Sequence, residues 1–230
     1  MKYRVKFSKN GPIKYIGHLD VMRYFQKAIR RAQLPIAYSE GFSPHQILSF
    51  AFPLSVGFTS EGEYFDMEMT KEVNGDEILN SLNLQMADGI EIVCVRKLPD
   101  KAPNCMASVF AAEYKILFEN GEDFIERNKE RIVDFFGQST IPVNKPKKKG
   151  GGFVEIDLSK FIYEFSYGKD FIDFIVNAGS SDNIKPDFVV ECLFEYLNMD
   201  ISETDYDVKR IEIFANSSDE EIKLTRLIDY

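Results

Sequence analysis

An α+β fold made of two consecutive βαββαβ units is predicted by three observations. Segments with strand period and segments with helix period follow one another as strand, helix, strand, strand, helix, strand; that order runs twice along the 230 residues; and clusters of Gly, Pro, Asn and Ser separate the segments. This is the split-βαβ plan. The prediction is therefore two tandem ferredoxin-like domains, residues 1–102 and 103–230, each long enough to bury a core of its own.

In the first domain Tyr3, Val5 and Phe7 alternate with Lys2, Arg4 and Lys6, as in a half-buried strand. After the turn signal "SKNGP", residues Leu19, Met22, Phe25 or Gln26, Ile29 and Ala32 recur at helical spacing until Pro35 stops the pattern. "HQILSFAFPL" and "GEYFDMEM" read as strands joined by the hairpin "SVGFTSE". Ile78, Leu82 and Met86 mark a second helix, and "IEIVCVRKLP" a closing strand. In the second domain "VFAAEYKILFE" is a strand, and Phe124, Ile125, Ile132 and Phe136 form the apolar side of a helix. "TIPVNK" and a strand pair turning at Tyr167 to Asp170 follow. A helix opened by Pro186 and the strand "YDVKRIEIFA" complete it.

No uninterrupted apolar run reaches the ~18 residues of a membrane span, and the first residues alternate instead of forming an export signal. Cys94, Cys105 and Cys192 are scattered, with no Cys-x-x-Cys pair, so a zinc site and a disulfide framework are both unsupported. A reducing, cytoplasmic setting away from membranes is expected. The net charge of −9 is uneven: residues 1–50 carry nine Lys or Arg against Asp20 and Glu40. Such polarity steers an anionic ligand to one end, or serves only solubility.

Candidate functional residues gather in the first domain. His18 and His45 are the two histidines of the chain. With Asp20 they are candidate catalytic groups, imidazoles being acid–base catalysts near neutral pH; the competing reading is that each caps a helix or pins a loop. Metal ligation lacks a ready-made spacing, so neither a metal nor a cofactor is assigned. Arg23, Lys27, Arg30 and Arg31 step by three and four and form one helix face. Tyr38, Ser39, Gly41 and Phe42 belong to the loop "AYSEGFSPH", a phosphate cradle or simply a turn. Interleaved aromatics and cations are what single-stranded RNA uses, although the RNA-recognition signature is missing. Lys145, Lys147, Lys148 and Lys149 stand before three glycines, in a cationic loop that would hold a phosphate backbone or form a solvated hairpin tip.

The stretches Gly17 to Arg23, Ala37 to His45, Leu48 to Leu54 and Glu63 to Glu68 resemble the radical SAM-linked protein family, a bacterial domain found beside or fused to a radical S-adenosylmethionine protein. The resemblance implies a partner, a radical SAM protein, and no catalytic residue. The chain has no Cys-x-x-x-Cys-x-x-Cys segment to hold an iron–sulfur cluster itself. A weaker similarity is to RAMP-type CRISPR endoribonucleases, tandem ferredoxin-like proteins that use a histidine on RNA. Their glycine-rich C-terminal loop is missing, since "SSDEEIKL" is acidic. Three functions follow as expectations: an accessory module presenting RNA to a radical SAM enzyme for modification, a metal-independent ribonuclease using His18 and His45, or a protein-interaction scaffold.

Overall fold

In the computed structural model, which describes residues 1–147, 150–179, 182–218 and 220–230, the chain is a mixed α+β protein. Its elements run β1 (Lys2–Lys9), α1 (His18–Arg31), β2 (Leu48–Phe50), β3 (Thr59–Glu68), α2 (Gly75–Asn83), β4 (Ile90–Lys97), α3 (Cys105–Ser108), β5 (Ala111–Phe118) and α4 (Gly121–Gly137). Then come β6 (Pro142–Pro146), β7 (Phe153–Asp157), β8 (Ile162–Tyr167), β9 (Phe171–Asn177), α5 (Pro186–Leu197), β10 (Tyr206–Asn216) and β11 (Leu224–Arg226). Two compact units result, one of Met1–Ala111 with Arg210–Tyr230 and one of Ala112–Lys209. The sequence reading placed Arg210–Tyr230 with the second half. The structure groups it with the first, because Arg210 and Glu212 find their charge partners on β3 and β1.

In the first unit β1 lies between β4 and β3, antiparallel to both, and β2 pairs antiparallel with β3. β3 also neighbours the Arg210–Asn216 stretch of β10, and β11 pairs with β10. Gly62 permits that approach, since a Cβ there would stand 2.7 Å from the Ile211 carbonyl oxygen. α1 packs on the sheet through Val21, Phe25, Ala28 and Ile29. The predicted stripe included Leu19, which is exposed: the helix begins only at His18, so Leu19 sits in the first turn and faces away from the sheet. Rings of Phe7, Phe25, Phe50 and Phe65 close the core at centroid separations of 4.7 Å (Phe7–Phe25), 4.8 Å (Phe25–Phe65) and 5.1 Å (Phe50–Phe65).

β1 is not half-exposed as its alternation predicts. Tyr3, Val5 and Phe7 face the helices, but Arg4 on the other face is fully buried too. Its Nε and Nη2 donate to the two carboxylate oxygens of Asp66, at 2.8 and 3.0 Å. Nη1 donates to the Leu227 carbonyl at 2.8 Å, and Nη2 also to the Pro103 carbonyl at 3.0 Å. Asp66 in turn accepts from the Cys105 backbone N–H at 2.8 Å. One guanidinium thus joins β1, β3, the segment entering α3 and the C-terminal tail. Lys6 bridges to Glu212 at 2.7 Å, and the Tyr64 hydroxyl donates to the same carboxylate.

The second unit has strands in the order β10-β5-β9-β8, to which β10 contributes Tyr206–Lys209. β8 and β9 are antiparallel, joined at the predicted turn. α4 buries Phe124, Ile125, Ile132 and Phe135; Phe136, expected inside, stacks on Phe165 at 3.9 Å and stays partly open. β6 and β7 pair antiparallel as a separate two-stranded sheet, in register from Pro142↔Asp157 to Pro146↔Phe153; the sequence reading had β6 as a strand but not β7. β7 escaped notice because a short segment behind three glycines reads as loop.

Replacing Arg4 by Met is expected to lower unfolding stability by about 3–5 kcal/mol, the usual cost of leaving one member of a buried ion pair alone. Arg4→Lys recovers less than half, since an ammonium cannot reproduce four donor contacts in one plane. Urea unfolding followed by circular dichroism measures both.

Candidate functional site

The entrance to α1 is built by charge buried under it. Gly17 caps the helix with extended backbone and no side chain, and His18 opens it. The imidazole meets Phe50 edge-on at 5.6 Å and shares a small pocket with Phe7, Lys9, Val21, Phe52, Leu54, Glu63 and Tyr64. Beside it the buried Lys9 ammonium donates to the Ile16 carbonyl at 2.8 Å and the Lys14 carbonyl at 3.3 Å, holding the turn that leads into the helix. Arg210 Nη1 lies 2.9 and 3.1 Å from the two oxygens of Glu63 and donates to the Phe52 carbonyl at 3.0 Å. Its guanidinium stands 4.8 Å from the Phe52 ring centroid.

Burial pushes the Glu63 carboxyl above its ordinary range, against the pull of Arg210 and a hydrogen bond with Ser60. Burial lowers the Lys9 ammonium, with Glu63 opposing. His18 is lowered by burial and then by the charge of Lys9, so its imidazole is held neutral. The pocket encloses about 20 Å³, the size of one water site and too small for a substrate. Lys9, Glu63 and Arg210 were not singled out from the sequence. The signal was there in opposite charges at inward positions of strands, but the register that pairs them is a tertiary fact.

The three groups expected to work together each have contacts of their own. Asp20 is exposed and accepts from Arg23 at 3.2 Å. His45 stands in a narrow hairpin, where its Nδ1 is 2.8 Å from the Ser39 hydroxyl and its backbone N–H donates to the same oxygen at 3.1 Å. It does not line the His18 pocket. Asp66 and Glu68 face away from α1, because Phe65 and Met67 occupy the helix side and side chains alternate along a strand. Glu68 pairs with Lys2 instead, at 3.6 Å. Among the described residues no group of three or more His, Cys, Asp or Glu is placed to hold a metal ion.

The basic helix face and the loop beyond it do come together. The hairpin is closed by the bridge Tyr38↔Gln46 and by the Ser39 N–H donating to the His45 carbonyl at 2.8 Å. Gly41 turns it at φ 107°, a conformation that favours glycine. Buried Gln46 ties it to α1, its Nε2 donating to the Gln26 carbonyl at 3.1 Å. At the tip Phe42 is fully exposed, with Tyr38 half exposed beside the root. Arg23 and Arg30 flank Gln26 at one helical turn on either side, with Lys27 next to it. Arg31 is engaged with the Gln85 side chain and carbonyl, and Arg23 with Asp20. Lys27 and Arg30 are exposed and make no ion pair or hydrogen bond among the described residues. In the second unit the Lys145 ammonium donates to the Asn183 carbonyl at 2.8 Å and Lys147 is exposed. Lys148 and Lys149 lie outside the described residues.

With that geometry in view, one family profile matches residues 2–186, that of DUF2344, described as an uncharacterized protein conserved in bacteria. The chain belongs to that family. No curated protein matches it. Among solved structures it is similar to an unknown protein from Galdieria sulphuraria, at 11% identity over 91% of this chain and 97% of that one, with a TM-score of 0.27, a likeness that carries no argument. Among the described residues no helix is long and apolar enough to cross a membrane.

His18 supplies a pH test. Its folded-state proton affinity is below that of the unfolded chain, so the unfolded state binds more protons as pH falls through about 6.5 and the fold loses stability there. The buried Glu63 carboxyl, whose proton affinity burial raises, works in the opposite direction. Urea midpoints measured between pH 7.5 and 5 should fall more steeply for the wild type than for His18→Gln. Parallel curves would show that His18 is not held neutral.

Proposed function

We propose that this chain is an accessory module that binds single-stranded RNA on its first unit and works beside a radical SAM enzyme in RNA modification. The observation that carries the binding half is Phe42, wholly exposed at the tip of a braced hairpin that is tied through Gln46 to the helix bearing Lys27 and Arg30, which make no ion pair or hydrogen bond among the described residues. An apolar ring held out in water costs free energy unless something covers it, and a nucleobase stacks on it while cations take the adjacent phosphates. The fold reading that accompanies this proposal is a pair of ferredoxin-like modules. It is supported by β2, β3, β1 and β4 in one unit and β8, β9, β5 and β10 in the other, with the β6–β7 hairpin as an insertion.

The partner half rests on the resemblance of Gly17 to Arg23, Ala37 to His45, Leu48 to Leu54 and Glu63 to Glu68 to the radical SAM-linked family. The chain would present substrate to an enzyme whose cluster ligands it lacks. The ribonuclease alternative needs both imidazoles on one phosphodiester, and neither the enclosure of His18 nor the Ser39 contact of His45 favours it.

Fluorescence anisotropy with a labelled 12-nucleotide oligouridine, against a neutral peptide nucleic acid of the same bases, tests the binding half. RNA should bind more tightly, with affinity falling steeply with salt. Phe42→Ala should weaken binding about fivefold to a hundredfold, given ~1–3 kcal/mol per stacked base. The double variant Lys27→Ala/Arg30→Ala should flatten the salt slope by about 1.4, at ~0.7 per single-strand phosphate contact. Equal affinity for the two oligomers, or no effect of Phe42→Ala, overturns the proposal.

A further inference from the structure

The second unit has an unassigned cleft of about 510 Å³ between the C-terminal end of α4, the β6–β7 hairpin and one side of α5. Four aromatic rings stand in its walls, Phe135 from α4, Phe153 from β7, Phe188 and Tyr196 from α5, and about half of the lining surface is polar. Phe153 is 64% exposed although it lines the cleft, so its ring stands largely in solvent. Gln138 and Asn144 add neutral polar groups to the lining, and its charged groups are all on α5. Glu191 and Glu195 lie one helical turn apart on the exposed side of α5 and make no ion pair or hydrogen bond among the described residues. None of the lining residues is a Lys or Arg; Lys145 and Lys147 do not line the cleft. Residues 112–209 hold 12 Lys or Arg against 20 Asp or Glu, so the unit as a whole is net negative. Tyr196 already carries a cation, the Arg131 guanidinium at 5.7 Å from its ring. Cys192 is only wall, its thiol pushed up to about 12 by burial and the two nearby glutamates.

From this geometry we infer that the cleft docks an amphipathic helix of a partner protein, with its apolar face against the aromatic walls and two Lys or Arg one turn apart against Glu191 and Glu195. Carboxylates spaced i, i+4 along α5 match cations of the same spacing on a helix lying beside it. The apolar rings supply affinity, and the unpaired carboxylates select a basic segment over a neutral or acidic one. A helix long enough to fill the cleft also covers Phe153. This surface belongs to the second unit and does not depend on the RNA reading of the first.

The test is a display library of random 14-residue helix-forming peptides, selected on the full chain and counter-selected on Glu191→Lys/Glu195→Lys. Enriched peptides should carry Lys or Arg three or four residues apart beside Leu, Phe or Met. They should bind the charge-reversed variant at least tenfold more weakly, and Phe153→Ser at least fivefold more weakly. Both variants alter exposed positions; thermal melting matching the wild type confirms that they fold, and their oligouridine binding should be unchanged. Enrichment of peptides without cations, equal binding by the charge-reversed variant, or no enrichment at all overturns the inference. So does a dimer of the chain, seen by light scattering and dissolved by these substitutions, which would make a second copy the occupant.

Discussion

The first unit depends on one buried ion pair, Arg4 with Asp66. Neither side chain is accessible enough for water to solvate it, so each needs the other, and the pair's remaining hydrogen-bonding capacity must also be met. It is met by backbone: the carbonyls of Pro103 and Leu227 and the N–H of Cys105. Pro103 and Cys105 belong to the segment entering α3 and Leu227 to the C-terminal tail, two segments far apart in sequence. The requirement to satisfy one guanidinium and one carboxylate fixes them on the outer face of the sheet. Cys105 then becomes a structural thiol, its proton affinity pushed up to about 12 by burial and by Asp66, with Sγ donating to the Ser49 carbonyl at 2.9 Å.

The same logic divides the basic residues of the N-terminal stretch into two populations. Lys2, Arg4, Lys6 and Lys9 lie on β1 and are neutralised within the unit, by Glu68, Asp66 and Glu212 and, for Lys9, by carbonyls with Glu63 nearby. On the helix, Lys27 and Arg30 are exposed and make no ion pair or hydrogen bond among the described residues. The count of nine cations therefore overstates the charge this stretch leaves unpaired. The histidines divide likewise. His18 helps seal the helix entrance and His45 braces the hairpin that holds Phe42 out.

Much of the secondary structure was legible. The alternation of Tyr3, Val5 and Phe7, the helix stop at Pro35, the α2 apolar spacing and the opening of α5 at Pro186 are local patterns, dictated by side-chain periods of two and 3.6 residues. What escaped were features whose cause is non-local. Leu19 was misassigned because a helix start, not its period, sets which face is inward. β7 is a strand only because β6 lies opposite, and Arg210 was read as part of the second half because its partners are on β3.

The sequence by itself determined the α+β character and most helices and strands, since each follows from spacing within a few residues. Only the tertiary structure decided which charges are spent. It turned Asp66 and Glu68 away from α1, buried Arg210 against Glu63, set Lys9 and Glu63 beside a pocket the size of one water, and left Glu191 and Glu195 without an ion pair among the described residues beside an aromatic cleft. The physical reason is that a charge's partner is set by strand register and helix placement, which bring together residues as distant as Arg4 and Leu227.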